Sequence, residues 1–379
     1  MTYDQLVHQP PGLRQLRQLA AADRLPHANL LLAPPGAGGL PAALALAGAL
    51  LCEDRSGEGG DLACGRCRAC RKTSGYVHPD LHFVFPTVGS RATSDHFLPQ
   101  WRQALGEAPY LEANDWLQRI GAENKQGNIT REECGAILRK LSLKIFEGRY
   151  KVMLIWLPEY LGNEGNRLLK MIEEPPERTI FFLVTERLDL ILNTILSRCQ
   201  LTKLAPPTPV EIARALEHHG APAERAAAAA RLADGNHNLA RQLLDTEGAS
   251  YGPLLLDWVR ACYAGSARTM TKWTEEFARL GRENQKHFLR YGLHFWREFL
   301  WLSVRPDDGA RLPAAELTAA RKLLPLVDAD QLEQITTLFS ECAEYVERNA
   351  NPKILFLDAS LRLHRILRAP RHTAAAARA

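Results

Sequence analysis

Apolar and polar positions follow two different rhythms along this chain of 379 residues. In the N-terminal half, short apolar runs are bounded by polar residues at Leu30–Leu32, Val152–Leu157 and Ile180–Thr185. Runs of this kind, rich in β-formers and lacking polar alternation, read as strands buried on both faces of a parallel sheet. Helical spacing fills the gaps, at Ala42–Leu51, Glu132–Leu143 and Glu164–Ile172, and a further helix-like run covers Leu188–Leu196. Strands alternating with helices predict an α/β domain, a parallel sheet with flanking helices. Residues Thr87–Asn128 fit neither rhythm. They read as an insertion (about 87–128) of mixed helix and loop, with no chemistry assigned.

The rhythm changes after Leu204. Ala205-Pro206-Pro207-Thr208-Pro209 reads as a hinge-like linker, because proline fixes φ and removes a donor. Short helices follow to about Glu247, rich in alanine at Ala226–Ala230 and broken at Gly220 and Gly235. From Ser250 onward the pattern is wholly helical. Trp258 and Cys262; Trp273, Phe277 and Leu280; Leu332, Ile335, Phe339, Cys342 and Val346; and Ile354, Leu357 and Leu361 recur at three- and four-residue spacing. The expected organisation is therefore an α/β domain at 1–204, a small helical domain at 205–248 and an all-α domain at 249–379, with a frayed tail at His372–Ala379.

Composition narrows the classes. Apolar residues make up 46% and charged residues 24%, the balance of a globular protein, which excludes disorder over the whole length. A net charge of +4 permits contact with nucleic acid without demanding it. Ala28–Cys52 carries no charge, but prolines and glycines at Pro34, Pro35, Gly36, Gly38, Gly39 and Pro41 break it, so it does not read as a membrane span. Met1–His8 shows no basic and apolar leader, and the expected compartment is the cytoplasm.

In that compartment the eight cysteines are not expected to form disulfides. Cys64-x2-Cys67-x2-Cys70 follows Cys52 after eleven residues. Four thiolates suit tetrahedral zinc, and two-residue gaps let neighbouring sulfurs converge on one ion. Gly57, Gly59, Gly60 and Gly65 allow the turns such a module (about 52–72) needs. Arg66, Arg68, Arg71 and Lys72 would offset its charge. Four reduced structural cysteines and an iron–sulfur centre are the competing readings. Four sulfurs leave no open position, so the expected zinc is structural. Cys134, Cys199, Cys262 and Cys342 are isolated and read as small buried hydrophobes.

The turn Ala33-Pro34-Pro35-Gly36-Ala37-Gly38-Gly39-Leu40 stands between a strand and a helix, where the phosphate-binding loop G-x4-G-K-[ST] belongs. Ala33 replaces the first glycine, Gly39 the lysine that meets the phosphates, and Leu40 the hydroxyl residue that holds Mg²⁺. Gly36 and Gly38 remain. The next long strand should end in acidic residues and ends in Trp156-Leu157 instead. Two defects in one site read as an abandoned nucleotide centre with no productive ATP binding.

Further on come Asn166-Arg167-Leu168-Leu169-Lys170-Met171-Ile172-Glu173-Glu174-Pro175-Pro176-Glu177 and Thr194-Ile195-Leu196-Ser197-Arg198-Cys199. With Tyr3–Val7, Arg24–Ala28, the cysteine cluster and His78-Pro79-Asp80, these segments resemble the bacterial clamp-loader family of AAA+ proteins, densely over 1–86 and 129–204. The resemblance implies an AAA+ fold, a helical lid at 205–248 and an all-α collar at 249–379. It also implies membership of a DNA polymerase III holoenzyme. Motor subunits of that family keep the phosphate-loop lysine, the acidic strand end and a lid arginine. This chain has Asn238 at the last position but keeps the arginine of Ser-Arg-Cys. It is thus similar to the subunit type that lends an arginine finger to a neighbouring ATPase without ATPase of its own.

On that resemblance Arg198 is the finger, acting in trans, and the partners are the motor (gamma/tau) and delta subunits. The sliding clamp and primer-template DNA are met through the complex, and no membrane is involved. A permanently charged guanidinium suits phosphate; a structural helix-end arginine is the plainer reading. Glu173 and Glu174, followed by two prolines, end a helix and orient the Arg198 region. Thr185 sits where active relatives sense phosphate and reads as a vestige. Leu289–Trp301, with Phe295, Trp296, Phe299 and Trp301, suits core or a subunit interface rather than base stacking. The competing functions are an active ATP-hydrolysing motor subunit, opposed by Gly39 and Trp156, and a zinc-dependent nucleic-acid-binding protein, opposed by the modest charge.

Overall fold

The computed structural model describes residues 2–54, 63–122, 126–245, 251–305 and 312–370. Gly57, Gly59 and Gly60, the 248/249 boundary and the His372–Ala379 tail lie outside them. The chain divides into two compact units, one ending at Asp245 and one beginning at Thr246.

The first unit is built on five parallel strands: β1 (Ala28–Leu32), β2 (Leu81–Val84), β3 (Lys151–Trp156), β4 (Thr179–Thr185) and β5 (Gln200–Lys203), in the order β2-β3-β4-β1-β5. In the registers, Leu30 stands opposite Leu183 on β4 and Leu201 on β5, and Leu154 stands opposite Phe182. The period-two pleat sends alternate residues to opposite layers. Leu31, Val152, Leu154, Trp156, Phe182 and Val184 pack with the helices Pro11–Ala21 and Gly39–Leu51. Leu30, Met153, Ile155, Phe181 and Leu183 pack on the other side against Ile137 and Leu141 of the helix Arg131–Ser142 and against Leu168 and Ile172. Both faces being covered is why these strands read as unbroken apolar runs. Every residue of the helix Gly39–Leu51 is buried.

Several elements differ from the sequence reading. Glu164–Ile172 is not one helix. A 3-10 segment, Pro158–Leu168, itself kinked at Gly162 (φ 49, ψ −139), precedes a short α-helix, Leu169–Glu173. Leu188–Leu196 likewise splits into Leu188–Leu190 and Asn193–Leu196, with Ile191 extended between them. The segment 87–128 contributes to the core of the first unit. Its helices Leu98–Glu107 and Ala113–Arg119 carry Trp101 and Trp116 into the main core, where Trp101 stacks on Phe85 at 4.2 Å and lies 5.2 Å from Trp156.

Two buried charges brace the edge of β3. Lys151 donates to the carbonyls of Lys140, Leu141 and Leu143, closing the C-terminus of the helix Arg131–Ser142. Asp80, at the start of β2, accepts from the amides of Phe146, Glu147 and Gly148 at 2.7, 2.9 and 2.7 Å. Burial opposes its charge, but these bonds outweigh it and hold the carboxyl below its usual range. Three more helices, Pro209–His218, Ala223–Ala233 and His237–Asp245, complete the first unit.

The second unit is helical in its described residues: Tyr251–Ala264, Ala267–Phe277, Arg282–Val304, Ala314–Leu323, Ala329–Glu347 and Pro352–Arg368. Its centre is aromatic. Trp258 stacks on Trp273 at 4.9 Å, and Phe277 meets Phe356 edge-on at 4.4 Å. Phe295, Trp296 and Phe299 are buried, whereas Trp301 is half-exposed with Arg305 over its ring. The stripe Ile354, Leu357 and Leu361 does not face the core. Ile354 is 71% exposed, and Phe356, Ala359, Leu363 and Leu367 make the inward face of that helix. No helix among the described residues is long and apolar enough to cross a membrane.

Candidate functional site

The loop after β1 turns through Gly36 at φ 64 and Gly38 at φ 103, left-handed conformations that glycine adopts without strain. Both glycines are also covered. A Cβ on Gly36 would fall 1.9 Å from Asn236 Oδ1, and one on Gly38 would fall 2.9 Å from the ring of Tyr110. The amide of His237 donates to the Gly36 carbonyl at 3.0 Å. At Gly39, where the lysine would stand, a Cβ would lie 2.9 Å from Ala33 and 3.0 Å from Val184. The void left among Ala33, Gly36, Gly38, Gly39, Leu40, Tyr110 and Trp156 is about 10 Å³, room for roughly one water.

The residues that cover the loop are tied down in turn. Tyr110 Oη accepts from the Val7 amide at 2.8 Å, and its ring lies 4.5 Å from that of His237. Asn236 Nδ2 donates to Glu112 Oε1 at 2.9 Å, while its Oδ1 accepts from the Leu239 amide at 2.8 Å. Asn238, buried, donates to Glu112 at 3.2 Å and to Asp115 at 2.5 Å. Asn238 thus faces carboxylates. Tyr110, Glu112 and Asp115 belong to the segment given no chemistry above. Their partners lie more than a hundred residues away, so no local spacing signals them.

At the end of β3, Trp156 enters the aromatic cluster. A carboxylate stands nearby, beyond the strand end: Glu159, in the following turn, accepts from Thr185 Oγ1 at 2.9 Å and from the Glu186 amide at 3.1 Å. Thr185 is fully buried. Burial raises the Glu159 carboxyl, and burial together with Glu112 and Glu159 pushes Glu186 up to about 8.

The four sulfurs of Cys52, Cys64, Cys67 and Cys70 all lie within 4.8 Å of one another, with Cys52–Cys67 at 3.9 Å and Cys64–Cys70 at 4.0 Å. A tetrahedron with metal–sulfur bonds of about 2.3 Å has edges of about 3.8 Å, so the cluster fits one ion. Amides support the sulfurs: those of Cys64, Cys67 and Cys70 each donate at 3.3 Å to Cys52, Cys64 and Cys67 respectively. Burial would raise the Cys67 thiol, but the Cys70 amide and the neighbouring groups outweigh it and bring it down to about 7. The arrangement can hold a metal such as zinc. Of the isolated cysteines, Cys134, Cys262 and Cys342 are buried, whereas Cys199 is only half-buried.

Arg198 lies between the helix Asn193–Leu196 and β5. Its Nε donates to Glu173 Oε1 at 2.5 Å, and Nη1 donates to the Thr194 carbonyl at 2.9 Å and to Ser197 Oγ at 3.2 Å. Because all the strands are parallel, Arg198 stands at the amino edge of the sheet and the Ala33–Leu40 loop leaves the carboxy edge. At about 3.3 Å per residue, the five residues of β1 alone hold the two apart by roughly 16 Å.

A five-stranded parallel sheet with β1 between β4 and β5, a glycine loop after β1 and helices on both faces define an AAA+ α/β protein, here with an altered phosphate loop. Residues 8–208 match the family described as DNA polymerase III, delta subunit, and the chain belongs to that family. Within it the chain is of the clamp-loader delta′ type. It is 30% identical to the DNA polymerase III subunit delta′ of Bacillus subtilis (strain 168), over 54% of this chain and 50% of that one. It is also 30% identical to the delta′ subunit of Escherichia coli (strain K12), over 52% and 48%. A shorter stretch, 19% of this chain and 20% of the other, is 42% identical to the DNA polymerase III subunit gamma of Buchnera aphidicola subsp. Acyrthosiphon pisum (strain APS). The chain spans about half the length of the delta′ relatives it matches.

Proposed function

We propose that this chain is a non-catalytic, delta′-type subunit of the replicative clamp loader, a cytoplasmic part of the DNA polymerase III assembly. It donates Arg198 to the ATP of a neighbouring motor subunit and so helps load the sliding clamp onto primed DNA. The observation that carries this reading is the separation of its two phosphate-directed features. The chain's own loop is covered by Tyr110 and Asn236, and the arginine stands at the opposite edge of the sheet, too far away to serve that loop. A finger in that position acts on another subunit's nucleotide, where stabilising transition-state charge is worth roughly 10³–10⁵ in rate.

In this reading 1–204 is the altered AAA+ domain, 205–248 the lid and 249–379 the collar that joins the motor and delta subunits. The four cysteines hold a structural zinc, and clamp and DNA are met through the assembled ring. The test has two parts. The isolated chain, titrated calorimetrically with Mg-ATP, should give no binding heat and no hydrolysis. A complex carrying Arg198→Ala should assemble yet lose most DNA-stimulated ATPase, and Arg198→Lys should rescue poorly, because a point charge lacks the planar fork. Turnover by the isolated chain that is lost on changing the Ala33–Leu40 loop would overturn the reading. So would a wild-type loading rate in the Arg198→Ala complex.

A further inference from the structure

We infer that Glu173 is the positioning residue for Arg198, an inference that rests on the finger role proposed above. A guanidinium carries five N–H donors in one rigid plane, so fixing two of its nitrogens fixes where the third points. In this chain Nε is held by Glu173 Oε1 at 2.5 Å, and Nη1 is held by the Thr194 carbonyl and by Ser197 Oγ. Nη2 has no partner among the described residues. The plane is anchored at two of its three nitrogens, and Nη2 is left to meet an acceptor from outside the subunit.

The position of Glu173 is itself determined by the chain. It is the last residue of the helix Leu169–Glu173. Glu174 leaves the helix at φ −127 and ψ 71, ahead of Pro175 and Pro176, which cannot continue it. The segment carrying Arg198 is tied to the same region a second time, through Thr194 Oγ1 and Asn166 Oδ1 at 3.2 Å. Stability does not account for the ion pair. The side chains of Arg198 and Glu173 are 32% and 47% exposed, and pairs so open to water contribute little to folding. Glu174 provides an internal comparison: it has the same charge one residue away, and its side chain has no partner among the described residues.

The test uses the full complex of this chain with motor and delta subunits, clamp and primed DNA, reading DNA-stimulated ATPase as kcat and KM separately. Glu173→Ala should lower kcat about tenfold, within the range of direct pair couplings, and leave the KM for ATP and the assembly mass unchanged. Glu173→Gln, which still accepts from Nε, should restore most of that loss, and Glu174→Ala should match wild type. In an Arg198→Ala background, Glu173→Ala should cost nothing further. A wild-type kcat for Glu173→Ala, in a system where Arg198→Ala is impaired, overturns this inference and leaves the finger role standing. A Glu173→Ala loss that persists in the Arg198→Ala background also overturns it, because the glutamate would then act elsewhere. An Arg198→Ala complex with wild-type activity instead overturns the finger role itself.

Discussion

Replacing Gly36 by alanine tests whether Asn236 is seated on the phosphate loop. The residue sits at φ 64, where a Cβ costs about 1–2 kcal/mol. That Cβ would also fall 1.9 Å from Asn236 Oδ1, which must then leave. Its departure breaks two bonds, Asn236 to Glu112 and the Leu239 amide to Asn236, at about 1 kcal/mol each. The expected destabilisation of the first unit is roughly 3–4 kcal/mol. Gly220→Ala supplies the control: it has positive φ as well, but nothing lies within 4 Å of the added carbon, so only the strain of about 1–2 kcal/mol remains. The assay is pulsed hydrogen exchange with mass spectrometry along a urea series, read on peptides covering 28–51, which report this unit alone. In an Asn236→Ala background the Gly36→Ala penalty should shrink to the Gly220→Ala value. Equal midpoints for Gly36→Ala and Gly220→Ala in the wild-type background would refute the seating.

Two further expectations concern the cysteines and the carboxylates. Protein purified without chelators should carry close to one zinc per chain by elemental analysis, because deprotonated thiolates at these separations bind the ion and couple it to folding; Cys67→Ser should lower zinc content while the helical unit stays folded, and metal-free wild-type protein would refute the site. The Glu186 carboxyl stands at about 8, against 4.5 for the free group, so the folded state holds a proton that the unfolded chain has released over that interval. The Glu186 contribution to the stability of the first unit should therefore fall as pH rises from about 4.5 to about 8 and level off above; because His82 and His237, lowered by burial to about 4, act in the opposite direction below about 6.5, it is read as the difference between wild type and Glu186→Gln, and a difference that does not change with pH would show that the proton sits elsewhere.

How much of this was legible in the sequence depended on how local each signal was. The strands β1, β3 and β4 are visible as apolar runs because helices cover them on both faces. β2 has only four residues, and β5 lies at the edge of the sheet with its ends exposed, so neither leaves a pattern. The cysteine cluster declares itself through spacing, since three of its sulfurs lie within seven residues of chain. Helical periodicity shows that Pro352–Arg368 is a helix, yet it selected the exposed row Ile354, Leu357 and Leu361 over the buried row of Phe356 and Leu363, because both rows are apolar and period carries no inside or outside. Tyr110, Glu112 and Asp115 stayed silent for a different reason: each acts on a partner brought near only by the fold.

The covering of the phosphate loop by Tyr110 and Asn236 differs from occupation by a diffusible ligand in one physical respect. A bound nucleotide fills its pocket in proportion to its concentration, and a protein that uses it samples a filled and an empty form as that concentration changes. Side chains on the same polypeptide have a fixed local concentration that no change in the surroundings can dilute. On the proposed reading, the contacts from the Gly36 loop to the helix His237–Asp245, and through Asn238 to Asp115, are the same at every adenylate level in the cell. In that reading the loop keeps a single setting, held by side chains of its own polypeptide, where a nucleotide-dependent pocket has two.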